Sequence, residues 1–503
     1  MLPFLNAESD NGKKYIVAFR GLNYGEGWVD GELSDCRNVS SALYPSLTQR
    51  WARSEEGTYD APSTLFSKDG LVVVDGTTVY YNGKSVGTVT AGRKQMAAVG
   101  NYVVIFPDKV SYNVETGAFE QMEVSVSAAG MEFTESTIKG SGFSVFKAGD
   151  GIVISGSSHG ENNKTVTIRS VTDNELLFDE NKFTAGKESG TVILKREVPD
   201  LDFICESNYR LWGTNGNNIY ASKYQDPFNF QVFDGLVGDS YNIIVASEGQ
   251  FTGCAPYSSH ICFFKEHTLH KLYGTKPSNF QIVTSQVYGV QEGCERSMCI
   301  INETLYYKGV NGIYAYTGSV PELISDKFGV ERFSDACAAS DGDRYYISMK
   351  RDGQWGVYVY DVKRNMWLQE DDVHCVDMTF HDGHMYLLRE DGKLQKIDPT
   401  LDCSGIEWSM TFCPFHETVN ERKGYSKFHM RLEMAAGAWL AVEVKRDTDT
   451  KWEEVYRTHN ERARTVSVPI VPARCDSVEI RLRGKGECML RTFVREFFMG
   501  SDV

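Results

Sequence analysis

Two histidine pairs, one acidic run and twelve scattered cysteines are the residues of this 503-residue chain whose types and spacing bear on chemistry. His267-x-x-His270, preceded by Glu266, has a spacing found among metal ligands. On a strand, residues three apart point to opposite faces, so the expectation is a pair of satisfied or solvent-facing imidazoles. His381-x-x-His384 straddles the turn Asp382-Gly383 and carries the same weakness. The run Glu370-Asp371-Asp372 holds carboxylates that glycoside hydrolysis or calcium binding would require. Lying just after Asn365-Met-Trp367, where the chain is expected to turn over, it reads more simply as a solvated loop.

Other signatures of chemistry are missing. The chain has no D-x-[DN]-x-[DN]-G calcium series and no G-x-S-x-G nucleophile elbow. Ser67-Lys-Asp69-Gly70 lacks the Thr and Trp of a sialidase-type Asp box, and Asn215 to Asn218 reads as a hairpin turn with no helix to aim at a phosphate. The cysteines, Cys36 to Cys488, form no C-x-x-C pair and mostly sit in apolar runs such as those around Cys205, Cys262 and Cys299, which reads as small buried hydrophobes. The expectation is therefore a protein with no catalytic, cofactor-binding or metal-ligating residues, and no enzyme. Trp355, Trp439 and Trp452 are candidate stacking platforms for a glycan, against their reading as core.

The elements that would carry these residues recur. Short apolar runs start at Leu71, Tyr102, Tyr209, His260, Thr304, Arg344 and His384, with successive intervals of 31, 107, 51, 44, 40 and 40 residues. Removing an insertion of roughly 70 residues returns the long interval to the size of its neighbours, and a repeat of about 40 to 50 residues with several strands each is the signature of a β-propeller. The predicted fold is all-β: a propeller of six to seven blades, an inserted small β-barrel or sandwich, and a C-terminal β-sandwich of jelly-roll type. Residues 1–52 are read as an arm closing the scaffold, 53–127 and 197–400 as the propeller, 128–196 as the insert, and 401–503 as the sandwich. The insert shows alternating runs such as Thr165-Val-Thr-Ile-Arg-Ser-Val171 and Thr191-Val-Ile-Leu194 divided by Gly, Asn and Asp turns. The last segment opens at Trp408-Ser-Met-Thr-Phe412 and places Pro469 and Pro472 at strand edges.

Lys and Arg total 52 against 68 Asp and Glu, a formal charge of −16 spread along the chain. Tight nucleic-acid binding needs clustered cations to replace phosphate counterions, so it is disfavoured; DNA sliding past an acidic wall is not. No window is apolar enough for a membrane-spanning helix. The acidic-polar start, Met1 to Lys14, lacks the pattern of a secretory signal, which points to synthesis in the cytosol.

One set of segments is more specific. Ala221-Ser-Lys-Tyr-Gln-Asp226-Pro227-Phe-Asn-Phe230, Phe251-Thr-Gly-Cys254, Cys262-Phe-Phe-Lys-Glu-His-Thr-Leu-His-Lys-Leu-Tyr-Gly274, Pro277-Ser-Asn-Phe-Gln-Ile282, Gly289-Val-Gln-Glu-Gly293 and Asn311-Gly-Ile-Tyr-Ala-Tyr-Thr-Gly318 resemble a family of bacteriophage virion proteins. Glu32-Leu-Ser-Asp-Cys-Arg-Asn38 through Leu43-Tyr-Pro45 is similar to their start. Pro472-Ala-Arg-Cys-Asp476, Gly484-Lys-Gly486-Glu-Cys488 and Gly500-Ser-Asp502 are similar to their C-terminal module. The resemblance implies a tail nozzle or hub protein of short-tailed, podovirus-like phages. It would be a propeller with added β-domains, forming a six-fold ring around the DNA channel and helping to retain and eject the genome. It further implies a homo-hexamer in the virion tail, made in the host cytoplasm. Its partners would be the portal or adaptor of the head-to-tail connector and other tail proteins or fibres, with genomic DNA passing without sequence-specific binding. Acidic side chains lining that channel would repel phosphates. The competing expectations are a tail-tip receptor- or glycan-binding protein and, less favoured, a propeller glycosidase.

Overall fold

The computed structural model describes residues 11–417, 422–447, 449–459, 464–471 and 473–499. Pro472, Gly500 to Asp502 and the residues before Asn11 lie outside the described residues. Seven four-stranded antiparallel sheets form a β-propeller, and each of the seven apolar runs is the second strand of one blade. We number the blades 1 to 7 by their first strands, which begin at Pro62, Gln95, Phe203, Gly253, Cys299, Phe333 and Cys375.

The repeat is visible as apolar runs because a blade packs between two neighbours. Its second strand is then covered on both faces, and alternation gives way to continuous burial: His260–Lys265 is buried at every position, and Arg344–Arg351 at five in a row. Tight hairpins set the register. Asp352-Gly353 and Asp382-Gly383 both have positive φ at each residue (48° and 82°; 45° and 78°), the mirror-image turn whose twist matches paired strands.

Ring closure differs from the expectation. Arg53–Thr58 is the outermost strand of blade 7, pairing antiparallel with Lys393–Ile397. The first strand of the scaffold thus completes the last blade. The described residues 11–52 do not close the ring: Asn11–Ile16, Gly21–Leu22, Glu32–Arg37, Val39–Ser40 and Leu47–Gln49 add to the two sheets of the C-terminal sandwich. One of those sheets is built on Lys423–Met434 and Cys488–Met499, the other on Glu407–Phe412, Val478–Lys485 and Trp439–Arg446. The reason is apolar burial: Phe19, Leu22, Leu33 and Val39 enter one core with Phe412, Phe428 and Phe493. That core continues into blades 4 to 6 through Phe264, Phe328, Tyr358 and Trp367, so sandwich and propeller are packed as one body.

Between Met122 and Val198 the chain builds a small sandwich of a four-stranded and a five-stranded sheet around Phe133, Phe143, Ile154, Leu176 and Leu194. It is fixed to blade 3 through Asp150, whose carboxylate accepts from Arg196 Nη1 at 2.9 Å and Asn229 Nδ2 at 3.0 Å. Gly151 must be glycine, since a Cβ there would lie 2.4 Å from the carbonyl oxygen of Gln231. Among the described residues no helix is long and apolar enough to cross a membrane.

Candidate functional site

The first strands of the blades surround a cavity of about 450 Å³ on the propeller axis, the place where this architecture brings side chains from every repeat together. Its dominant group is Arg296, in the short 3-10 turn Glu295–Ser297 that precedes blade 5. Arg296 Nη1 donates to Ser63 O at 3.0 Å and Asp377 Oδ2 at 2.9 Å; Nη2 donates to Thr64 Oγ1 at 3.0 Å and Lys94 O at 2.8 Å. One guanidinium therefore crosses the channel and ties blades 1, 5 and 7 to the segment entering blade 2. Only arginine has a fork of donors wide enough for four acceptors in fixed directions.

The surroundings hold that fork in place. Asp377 also accepts Leu65 N at 2.8 Å and Met378 N at 3.0 Å. Ser297, behind Arg296, donates to Cys294 O at 2.6 Å and accepts Lys308 N at 2.8 Å, while its carbonyl receives Tyr345 Oη at 2.6 Å. Lys94 reaches Asp108 at 2.5 Å. Among the described residues each charge in the channel wall has a partner. The arrangement is a plug and a tie.

The residues singled out in the sequence are dispersed. His267 is exposed on a hairpin turn, whereas His270 is buried, with Nε2 2.8 Å from Ser247 Oγ and Nδ1 2.9 Å from Thr284 Oγ1. His381 and His384 are direct cross-strand partners, so a shared face replaces the opposed faces that the spacing suggested; the two-residue turn between them is the reason. His381 Nδ1 is 3.0 Å from Ser67 Oγ. Among the described residues no three His, Cys, Asp or Glu side chains are grouped to hold a metal ion.

The acidic run departs furthest from expectation. It is no solvated loop: Met366–Asp371 is the outer strand of blade 6, and Glu370 and Asp371 are buried. Arg53 of the closing strand meets Asp371 at 2.6 Å and Glu370 at 3.0 Å, and Arg50 lies 3.7 Å from Asp371. Asp372 remains exposed and pairs with Arg37. The carboxylates that could have served catalysis clasp the ring instead. Sequence reasoning missed this because the partner lies more than 300 residues upstream.

The cysteines are all free thiols, eleven of them buried, and burial pushes Cys299, Cys375, Cys413 and Cys488 up to about 12. These four stay protonated at neutral pH, and protonated thiols are poor nucleophiles. Burial acts in the opposite sense on the imidazoles, bringing His260 and His270 down to about 4. Both are neutral when folded and protonate near 6.5 when unfolded, so the stability they confer is complete above about pH 6.5 and is lost as pH falls toward 4. Each contributes about 2 to 3 kcal/mol to that acid sensitivity. Denaturant titrations of the parent and of His270→Asn at pH 7 and 4.5 should show a smaller acid loss in the variant; equal losses would refute the assignment.

Trp439 and Trp452 each carry a guanidinium over the ring, Arg457 at 4.5 Å and Arg481 at 4.3 Å, and are neither core nor open platforms. Trp355 stacks on His374, ring centroids 3.6 Å apart and planes inclined by 12°.

No known protein family matches the chain. No curated protein matches it either. Solved structures with a similar arrangement include BamB from Moraxella catarrhalis, 10% identical over 69% of this chain and 97% of that one, with a TM-score of 0.35. PorZ of Porphyromonas gingivalis, described as a bacterial surface component of the type-IX secretion system, is 12% identical over 81% of this chain and 65% of its own, with a TM-score of 0.29. Kluyveromyces lactis Hsv2 is 9% identical over 62% of this chain and 97% of its own, with a TM-score of 0.27. At these identities and TM-scores the likenesses say nothing of what this chain does.

Proposed function

We propose that this chain is a non-catalytic structural subunit of a bacteriophage tail, a nozzle or hub element that packs against copies of itself around the DNA path. The observation that carries the assembly role is one loop of blade 3. Phe233, Leu236 and Val237 are 51%, 64% and 65% exposed in a short stretch, beside a groove of about 520 Å³ lined by Tyr241 and Pro277. Large apolar side chains clustered in the open mark interaction surfaces.

The loop is also rigid. Buried Arg210 donates to the carbonyls of Ser222, Val237 and Asp239 at 2.6 to 2.9 Å, and Asp239 Oδ2 accepts the amides of Gly235 and Leu236 at 2.6 and 2.9 Å. A contact surface ordered in advance loses less entropy on association. Asp234 on the loop and Lys276 on the groove, neither in an ion pair within 4 Å among the described residues, offer opposite charges to a neighbouring copy.

The tail assignment rests on the resemblance described above, and the resembling segments have structural roles. Asp226 accepts Phe228 N at 3.0 Å and Asn229 Nδ2 at 2.7 Å, shaping the loop that anchors the insert. Gly289 passes so close to blade 4 that a Cβ would lie 2.1 Å from Lys265 O. Because Arg296 plugs the propeller's own channel, a conduit for DNA would have to run between subunits, and the net charge of −16 suits a wall that DNA slides past.

Light scattering with negative-stain images, alone and with a portal or adaptor, tests the reading. Six-fold rings are expected, and Leu236→Asp combined with Val237→Asp should leave monomers. A protein that stays monomeric with its tail partners, or a stable trimer, would overturn the wall assignment.

A further inference from the structure

We infer that the cleft between blades 6 and 7 is a binding site for a neutral pyranose sugar. It is a concavity of about 350 Å³ at the entry ends of the blades' first strands, at the lower end of the size of small-ligand sites. Four side chains converge on it: Trp355, His374, Arg93 and Asp335. They combine an aromatic plate, a carboxylate and a guanidinium, and they come from four separate places in the chain.

The plate is held still. Trp355 lies parallel on His374, and His374 Nδ1 is 2.7 Å from Glu390 Oε2. Trp355 stacks on His374 and has Lys350 Nζ 5.9 Å from its ring centroid; the part of the indole that lines the cleft offers a sugar's C–H face an apolar surface at little further entropic cost. Trp355 is half-buried, with part of its surface open to the cleft.

The carboxylate is aimed by a distortion. The pairing of Phe333–Ser340 with Arg344–Arg351 shifts between Ser334 and Cys337, and within that bulge Asp335 adopts φ +50°. A left-handed conformation at a residue other than glycine costs about 1 to 3 kcal/mol and persists where the surroundings impose it; bulges re-aim side chains. Asp335 is exposed. Its one side-chain hydrogen bond comes from Ser334 Oγ at 2.9 Å, and it has no ion pair within 4 Å among the described residues. This contrasts with Asp371 and Asp377, both of whose oxygens are engaged in the scaffold, and with Glu370, which Arg53 holds.

Arg93 supplies the complementary donors. Its side chain is about half exposed, and its one ion pair among the described residues is a long contact of 3.8 Å to Glu295. A carboxylate that accepts and a guanidinium that donates, lining the same cleft as an aromatic ring, match the vicinal hydroxyls of a sugar ring. With one group of each sign at the rim, the site suits an uncharged hexose or its 2-acetamido derivative. The inference stands on geometry independent of the assembly loop.

Saturation-transfer NMR with glucose, galactose, N-acetylglucosamine and their β-1,4-linked disaccharides, paired with tryptophan fluorescence, tests it on the full chain. At least one sugar is expected to bind with a Kd on the order of 1 mM and to quench the indole. Trp355→Ala and, separately, Asp335→Asn should each weaken binding by about tenfold or more, whereas Trp452→Ala should leave it unchanged. Asp335→Asn removes no buried contact, so it reports even if Trp355→Ala fails to fold. No saturation transfer with any of these sugars at roughly tenfold above that Kd, or binding undiminished in both variants, overturns the inference.

Discussion

Replacing Arg296 by methionine is expected to lower the unfolding free energy by about 3 to 5 kcal/mol, the range found when one member of a buried ion pair is removed. The substitution keeps most of the side-chain volume and leaves Asp377 buried without its countercharge. It also strands the oxygens of Ser63, Thr64 and Lys94 that the guanidinium now satisfies. Denaturant unfolding would measure the loss. Asp377→Asn in the same background should recover part of it, because the uncompensated charge disappears, so a double-mutant cycle should depart clearly from additivity. Arg296→Lys retains the charge but reaches fewer acceptors and should fall between. A loss below about 1 kcal/mol for Arg296→Met would mean that the blades hold their spacing without the crossing guanidinium.

Arg53→Met should have an effect of similar size, about 3 to 5 kcal/mol, with a different signature. Glu370 and Asp371 would both be left buried, and the strand Arg53–Thr58 would lose its anchor at the junction of blades 6 and 7. Hydrogen exchange distinguishes local from global opening. The amides pairing Arg53–Thr58 with Lys393–Ile397 should lose protection first, while those of Lys423–Met434 against Cys488–Met499 keep theirs. Uniform loss across all sheets would show that the clasp stabilises the molecule as a whole and not ring closure in particular.

Much of the propeller was legible in the sequence because its signal is local. Seven apolar runs, each a second strand covered on both faces, repeat at blade spacing, and the Asp-Gly turns that punctuate them carry their own geometry. Ring closure was not legible: Arg53-Ser-Glu-Glu-Gly-Thr58 has no apolar alternation, since an outermost strand buries little, and its partner lies more than 300 residues away. The arm misled for the same reason. Phe19, Leu22 and Leu33 announce burial without saying against which sheet. The candidate site was legible only in part. Trp355 and the acidic run stood out by residue type, but Arg296 is one arginine among many until the fold places it on the axis. Asp335 gives no sign in sequence of its left-handed backbone, which a bulge imposes from outside.

The pairing of Arg53–Thr58 with Lys393–Ile397 also carries a consequence for synthesis. At about 5 to 20 residues per second, a ribosome needs roughly 20 to 70 s to make the chain between these two strands. For that interval the first-made strand of the ring has no partner, and an apolar edge left waiting would recruit other nascent chains. Arg53, Glu55 and Glu56 keep this strand charged through the delay, at the cost of the very hydrophobic signal that would have revealed it.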